Sequence, residues 1–131
     1  DPKPRPTDAS VSDFLGAVAN DQRRADAAEL NVMLTAASGE APVMWGNTMV
    51  GYGAAEYAGS DRKQRAWPVI AFSPRKAELV LYLNTAVEDA LFDRLGSHRR
   101  GVGCLYLKRL SDVDRMELRR IIERSVELAH R

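Results

Sequence analysis

The spacing of apolar residues changes character along this chain, and each change marks an element. Phe14, Leu15 and Val18 recur at helical intervals behind Ser10-Val11-Ser12-Asp13, a sequence suited to a helix start, and predict a short helix to about Ala19. Asn20 or Asp21 then caps a second helix, in which Ala27, Leu30, Met33, Leu34 and Ala37 draw one apolar stripe. Gly39 stops it. After Pro42 the pattern becomes that of extended chain, with strands expected over Met49–Tyr57, Trp67–Ser73 and Glu78–Asn84. Glu88–Leu95 reads as a short helix ended by Gly96, and Val102–Lys108 as a fourth strand. A last helix, capped by Ser111 or Asp112, carries Leu118, Ile121, Ile122, Ser125 and Ala129 on one face.

The order α-α-β-β-β-α-β-α, with short connections between consecutive strands, predicts an α+β domain: an antiparallel four-stranded sheet packed with helices. Prolines at every second position from Pro2 to Pro6 give residues 1–9 no core face, so they read as a disordered, extended tail before a single domain at 10–131. The polar, basic connection Ser60–Arg65 reads as a solvated hairpin tip, and Ser73-Pro74-Arg75-Lys76 as a turn.

Alternation along the strands assigns faces. Leu79, Leu81 and Leu83 point one way and Val80 and Tyr82 the other; Leu105 and Leu107 oppose Val102, Cys104, Tyr106 and Lys108. The leucines belong against the helices. The opposite face gathers aromatic bodies, polar tips and a cation, which suits a binding surface but fits a half-exposed second sheet face better, since tyrosines often sit on such faces without function.

Composition narrows the functional classes. The 131 residues, 45% hydrophobic and 28% charged, suit one globular domain with a real core. Nineteen Lys and Arg against eighteen Asp and Glu leave a net charge of +1, which provides no global field for nucleic acid or an anionic membrane, and neither partner is expected. One cysteine, Cys104, excludes an internal disulfide, and with only His98 and His130 beside it a Cys/His zinc cage cannot form within the chain. A cytoplasmic protein without metal or cofactor is expected. No apolar run approaches the roughly 20 residues that span a bilayer.

The stretch MWGNTMVGYG, Met44–Gly53, fits neither helix nor strand periodicity. Gly46, Gly51 and Gly53 permit close approaches beside Trp45 and Tyr52, so it reads as a junction from helix into sheet that also walls a cleft. It lacks the lysine and hydroxyl of a phosphate-cradling loop and the spacing of a dinucleotide fingerprint. Catalytic constellations are weak as well. Cys104 with His98 suggests a thiol and base, but a cysteine within a strand is commonly a packing residue. Asp112 and Asp114 suit helix capping, and Asp21, Asp26 and Glu29 are interleaved with Arg23 and Arg24 as on a solvated helix face. No catalytic residue is assigned.

Several blocks, in order, resemble the YdhG-like domain-of-unknown-function family: Trp45-Gly46, Val50-Gly51-Tyr52-Gly53, Trp67-Pro68, Phe72-Ser73-Pro74-Arg75-Lys76, Leu95-Gly96, Gly101, Cys104-Leu105-Tyr106, Lys108-Arg109-Leu110 and Asp112-Val113-Asp114. The resemblance runs from about Val11 to Ala129. It implies a small α+β domain, usually bacterial and cytoplasmic, with no established reaction; some relatives are described as frataxin-like iron chaperones, but no iron-ligand motif carries over to positions here. Three functions follow as expectations. The first is a noncatalytic binding domain that holds a small molecule or peptide in one aromatic cleft of Trp45, Tyr52, Trp67, Tyr82 and Tyr106, with Lys108 or Arg75 at its rim. The alternatives are an iron chaperone, which needs clustered carboxylates or histidines, and an unrecognised enzyme.

Overall fold

A computed structural model describes residues 4–58 and 64–131. Among them are three α-helices, α1 (Val11–Gly16), α2 (Asp21–Ser38) and α3 (Arg115–Ala129), and eight strands. The strands are β1 (Pro42–Trp45), β2 (Met49–Tyr52), β3 (Ala55–Ala58), β4 (Gln64–Trp67), β5 (Ile70–Pro74), β6 (Leu79–Tyr82), β7 (Arg99–Gly101) and β8 (Cys104–Leu107).

The first two helices begin where their caps require. The Ser10 hydroxyl accepts from the Asp13 N–H at 3.0 Å and the Asn20 side chain from the Arg23 N–H at 2.8 Å, while Gly39 closes α2 by donating to the Thr35 carbonyl. The last helix starts later than expected. Leu110–Asp112 forms a separate 3-10 turn and Val113 is extended, so Asp114 caps α3 instead of Ser111 or Asp112, accepting from the N–H groups of Met116 and Glu117. Of Glu88–Leu95, only Asp89–Phe92 is helical, as a 3-10 turn without a side-chain cap.

The domain is α+β and antiparallel, but its main sheet has six strands rather than four, in the order β1-β2-β5-β6-β8-β7. Two of these six were hidden in the sequence. Met44–Gly53 is not a junction: it is most of the β1–β2 hairpin, in which Trp45 pairs with Met49 across the turn Gly46-Asn47-Thr48. Arg99–Gly101 forms β7, joined to β8 by the two-residue turn Val102-Gly103. The expected strand Met49–Tyr57 divides near Gly53 into β2 and β3, and the expected Trp67–Ser73 is broken at Pro68-Val69, which leaves Trp67 as the last residue of β4, a strand not expected from the sequence. Strands β3 and β4 make a separate two-stranded ribbon. Pro68 has no N–H to donate to a ladder. Across the break, the Val69 N–H still donates to the Tyr52 carbonyl at 3.1 Å.

The stretch read as a disordered tail is paired over its described part. The Thr7 N–H donates to Met44 and the Gly46 N–H to Arg5, laying this segment along the outer edge of β1. The basic connection expected at Ser60–Arg65 lies largely outside the described residues.

All three helices contribute to a core on one face of the sheet. As the apolar stripes imply, Leu30, Leu34, Leu118 and Ile122 are fully buried there against Val50, Phe72, Leu79, Leu81, Leu105 and Leu107. A smaller cluster of Trp45, Met49 and Ala71, flanked by Val43, Trp67 and Tyr82, occupies the other face. Among the described residues, no helix is long and apolar enough to cross a membrane.

Candidate functional site

The strand register fixes which side chains share the face away from the helices. Val43, Gly51, Ala71, Tyr82, Cys104 and Gly101 form one row across the main sheet, and Ser73, Val80, Tyr106 and Arg99 another. This outer face therefore carries Tyr82 and Tyr106, as alternation predicts.

Trp67, at the end of β4, meets Tyr82 edge to face, with ring centroids 6.4 Å apart and planes at 86°. That arrangement sets the positive edge of one ring against the negative face of the other. The pair forms one wall of an open cleft of about 230 Å³, completed by Pro68, Val69, Leu83, Asn84 and, from the last turn of α3, Leu128. Most of this lining is apolar. Asn84 is its polar element, and its Oδ1 already accepts from the Ala86 N–H at 2.8 Å, which leaves the amide Nδ2 to donate elsewhere.

The hydroxyl of Tyr82 accepts from Arg75 Nη2 at 3.0 Å. This bond, supported by the fields of Tyr82, Tyr106 and Cys104, raises the guanidinium of Arg75 above its ordinary pKa. Tyr106 is held up in turn, chiefly by the neighbouring Cys104 thiol. Arg99 stacks over Tyr106, its guanidinium carbon 3.8 Å from the ring centre, and Arg99 Nη2 lies 2.6 Å from Glu78 Oε1.

The residues expected in one cleft are thus divided. Trp67 and Tyr82 share a cleft; Arg75 holds the hydroxyl of Tyr82 without lining it. Tyr106 and Lys108 line a second cleft of about 300 Å³ with Glu78, Ser97, His98, Arg99 and Asp112. Trp45 is on the outer face but almost wholly buried, so it supports the surface from beneath. Tyr52 is on the opposite face. It is completely buried, stacks with Phe72 and donates to Asn31 Oδ1 at 2.7 Å, and burial pushes its phenol well above the ordinary value. The three-residue turn explains this: it pairs Trp45 with Met49, so Tyr52, three residues past Met49, must face the other way.

Sequence reasoning missed Asn84 and Leu128 as cleft residues. Asn84 follows the end of β6 and Leu128 comes from a distant helix. Cys104 and His98 line different cavities. Asp21 pairs with Arg24 and Glu29 with Arg115, while Asp26 accepts from Gln22 and the Leu110 N–H. Among the described residues, no group of three His, Cys, Asp or Glu is placed to hold a metal ion. Comparison with family models, curated proteins and solved structures gives no match for the chain.

Proposed function

We propose that this chain is a noncatalytic binding domain of the YdhG-like kind, holding a flat apolar group of a small molecule or peptide in the Trp67–Tyr82 cleft. The carrying observation is the edge-to-face aromatic pair on the wall of an open cleft. An indole and a phenol already fixed against each other offer a large contact area with little side-chain entropy left to lose on binding. Pro68, Val69, Leu83 and Leu128 complete an apolar lining, and the Asn84 amide supplies one donor for a polar end of the ligand.

The reading is tested with 2-naphthoate and its neutral counterpart 2-naphthylmethanol, followed by amide and indole N–H chemical shifts. Both are expected to move the Trp67 indole and the Asn84 side-chain amide saturably, with Trp67→Ala weakening binding at least tenfold. A ligand bound with only about 4 kcal/mol is half saturated near 1 mM. Absence of a saturable shift at that concentration, or saturable shifts confined to other surfaces, overturns the reading.

A further inference from the structure

We propose that the second cleft, between β7, β8 and the Leu110–Asp112 turn, is a separate binding site for a small hydroxylated phosphate monoester. Its backbone is built around one unusual contact. Gly96, at φ +111°, bridges to Val113, and the Ser97 N–H donates to the Asp112 carbonyl at 3.2 Å. A Cβ on Gly96 would stand 2.5 Å from that carbonyl oxygen, so only glycine lets the two segments lie together. Ser97 and His98 are thereby fixed beside Asp112.

The lining supplies donors and acceptors suited to the two parts of such a ligand. Glu78 engages only Nη2 of Arg99, and stacking on Tyr106 holds the guanidinium plane while its other N–H groups remain for an oxyanion. Lys108 is exposed and has no carboxylate partner among the described residues; with the Ser97 hydroxyl it adds further donors. His98 Nδ1 lies 2.7 Å from the Gly96 carbonyl, so this nitrogen carries the proton and Nε2 of the neutral ring is an acceptor. Asp112, which has no cation partner among the described residues, is a further acceptor in the lining. The two carboxylates of the lining, Glu78 and Asp112, offset its two cations, which disfavours a bare anion and favours one whose hydroxyls can donate to an acceptor there. The volume of about 300 Å³ lies at the small end of the range of small-molecule sites. This cleft shares no lining residue with the Trp67–Tyr82 cleft, so the two proposals stand or fall separately.

Titration of the amide spectrum with ribose 5-phosphate, inorganic phosphate and ribose, at low salt, tests the assignment. Ribose 5-phosphate is expected to shift Ser97, His98, Arg99 and Lys108 saturably, binding more tightly than phosphate, and phosphate more tightly than ribose. Lys108→Ala should weaken both phosphates about tenfold, the scale of one charge-assisted hydrogen bond. Asp112→Asn should reduce the preference for ribose 5-phosphate over phosphate, and Trp67→Ala should change none of these affinities. Equal affinity for phosphate and ribose 5-phosphate, insensitivity to Lys108→Ala, or the absence of saturable shifts in this cleft at millimolar ligand overturns the proposal.

Discussion

The indole of Trp45 lies directly on the backbone of Gly51, where a Cβ would stand 2.5 Å from Trp45 Nε1 and 2.9 Å from the Cβ of Pro68. Both residues are on the outer face of the β1–β2 hairpin, and Pro68 occupies the break between β4 and β5. The glycine is needed here for close approach: a methyl group at this position must displace the indole, the proline or the strand. Gly51→Ala is therefore expected to cost about 1–3 kcal/mol, the usual range for overpacking. Urea unfolding monitored by circular dichroism measures it, and a loss below about 0.5 kcal/mol, within the range of ordinary surface substitutions, would show that the indole has room to move aside.

Tyr52 separates aromatic composition from aromatic function. Its hydroxyl donates from within the core to Asn31 on α2, which is only half-buried, so Tyr52→Phe removes a hydrogen bond without touching either cleft. The expected loss is about 0.5–1.5 kcal/mol, that of a typical intramolecular hydrogen bond. Binding of 2-naphthoate should be unchanged. If affinity falls while the amide spectrum stays native, the ligand reaches a surface other than the proposed cleft.

What the sequence made legible follows from the range of each signal. Helical periodicity placed Leu30, Leu34, Leu118 and Ile122 in the core, and strand alternation put Tyr82 and Tyr106 on the face opposite Leu81 and Leu105. These signals repeat over several residues. Turn geometry does not: the face of Tyr52 depended on the length of the Gly46-Asn47-Thr48 turn, and β7 consists of three residues with no readable alternation. The separation of one expected cleft into two was harder still to read. It depends on tertiary neighbours such as Leu128 from α3 and on the Gly96 crossing with Val113, neither of which leaves a local pattern.

The pair between Glu88 and Arg124 should be visible in the acid limb of stability. Arg124 on α3 donates to both carboxylate oxygens, from Nε at 2.9 and 3.2 Å and from Nη2 at 2.6 Å, and also pairs with Glu127. The guanidinium holds Glu88 down at about 2, against an ordinary value of 4.5. A depressed carboxylate stabilises the fold above its unfolded value, and that contribution disappears as pH falls from about 4.5 towards about 2. Glu29, lowered by Arg115, acts in the same direction. The wild type should thus lose its advantage in Tm over Glu88→Gln across this window, with the two curves converging near pH 2. Because the pair is solvent-exposed, the advantage should be small and shrink with added salt. Parallel curves from pH 6 to pH 2 would show that the pair does not survive in solution.

Asp26 offers a test of how the helical layer is tied to the end of the sheet. It is only 2% exposed; Oδ1 accepts from Gln22 at 2.9 Å and Oδ2 from the backbone N–H of Leu110 at 3.1 Å. The second bond joins α2 to the turn after β8, in which Leu110 is completely buried. Asp26→Ala removes the acceptor and leaves that N–H without its partner, so a loss of about 1–3 kcal/mol is expected. Asp26→Asn can retain one acceptor by presenting its oxygen to Leu110 and should cost less. Hydrogen exchange gives a local readout: the Leu110 amide should be protected in the wild type, keep part of that protection in the Asn variant and lose it in the Ala variant, with the sheet amides of Leu79 and Leu81 changing only as far as global stability falls. Equal stability of the Ala and Asn variants, with unchanged protection at Leu110, would show that this carboxylate does not tie α2 to the sheet.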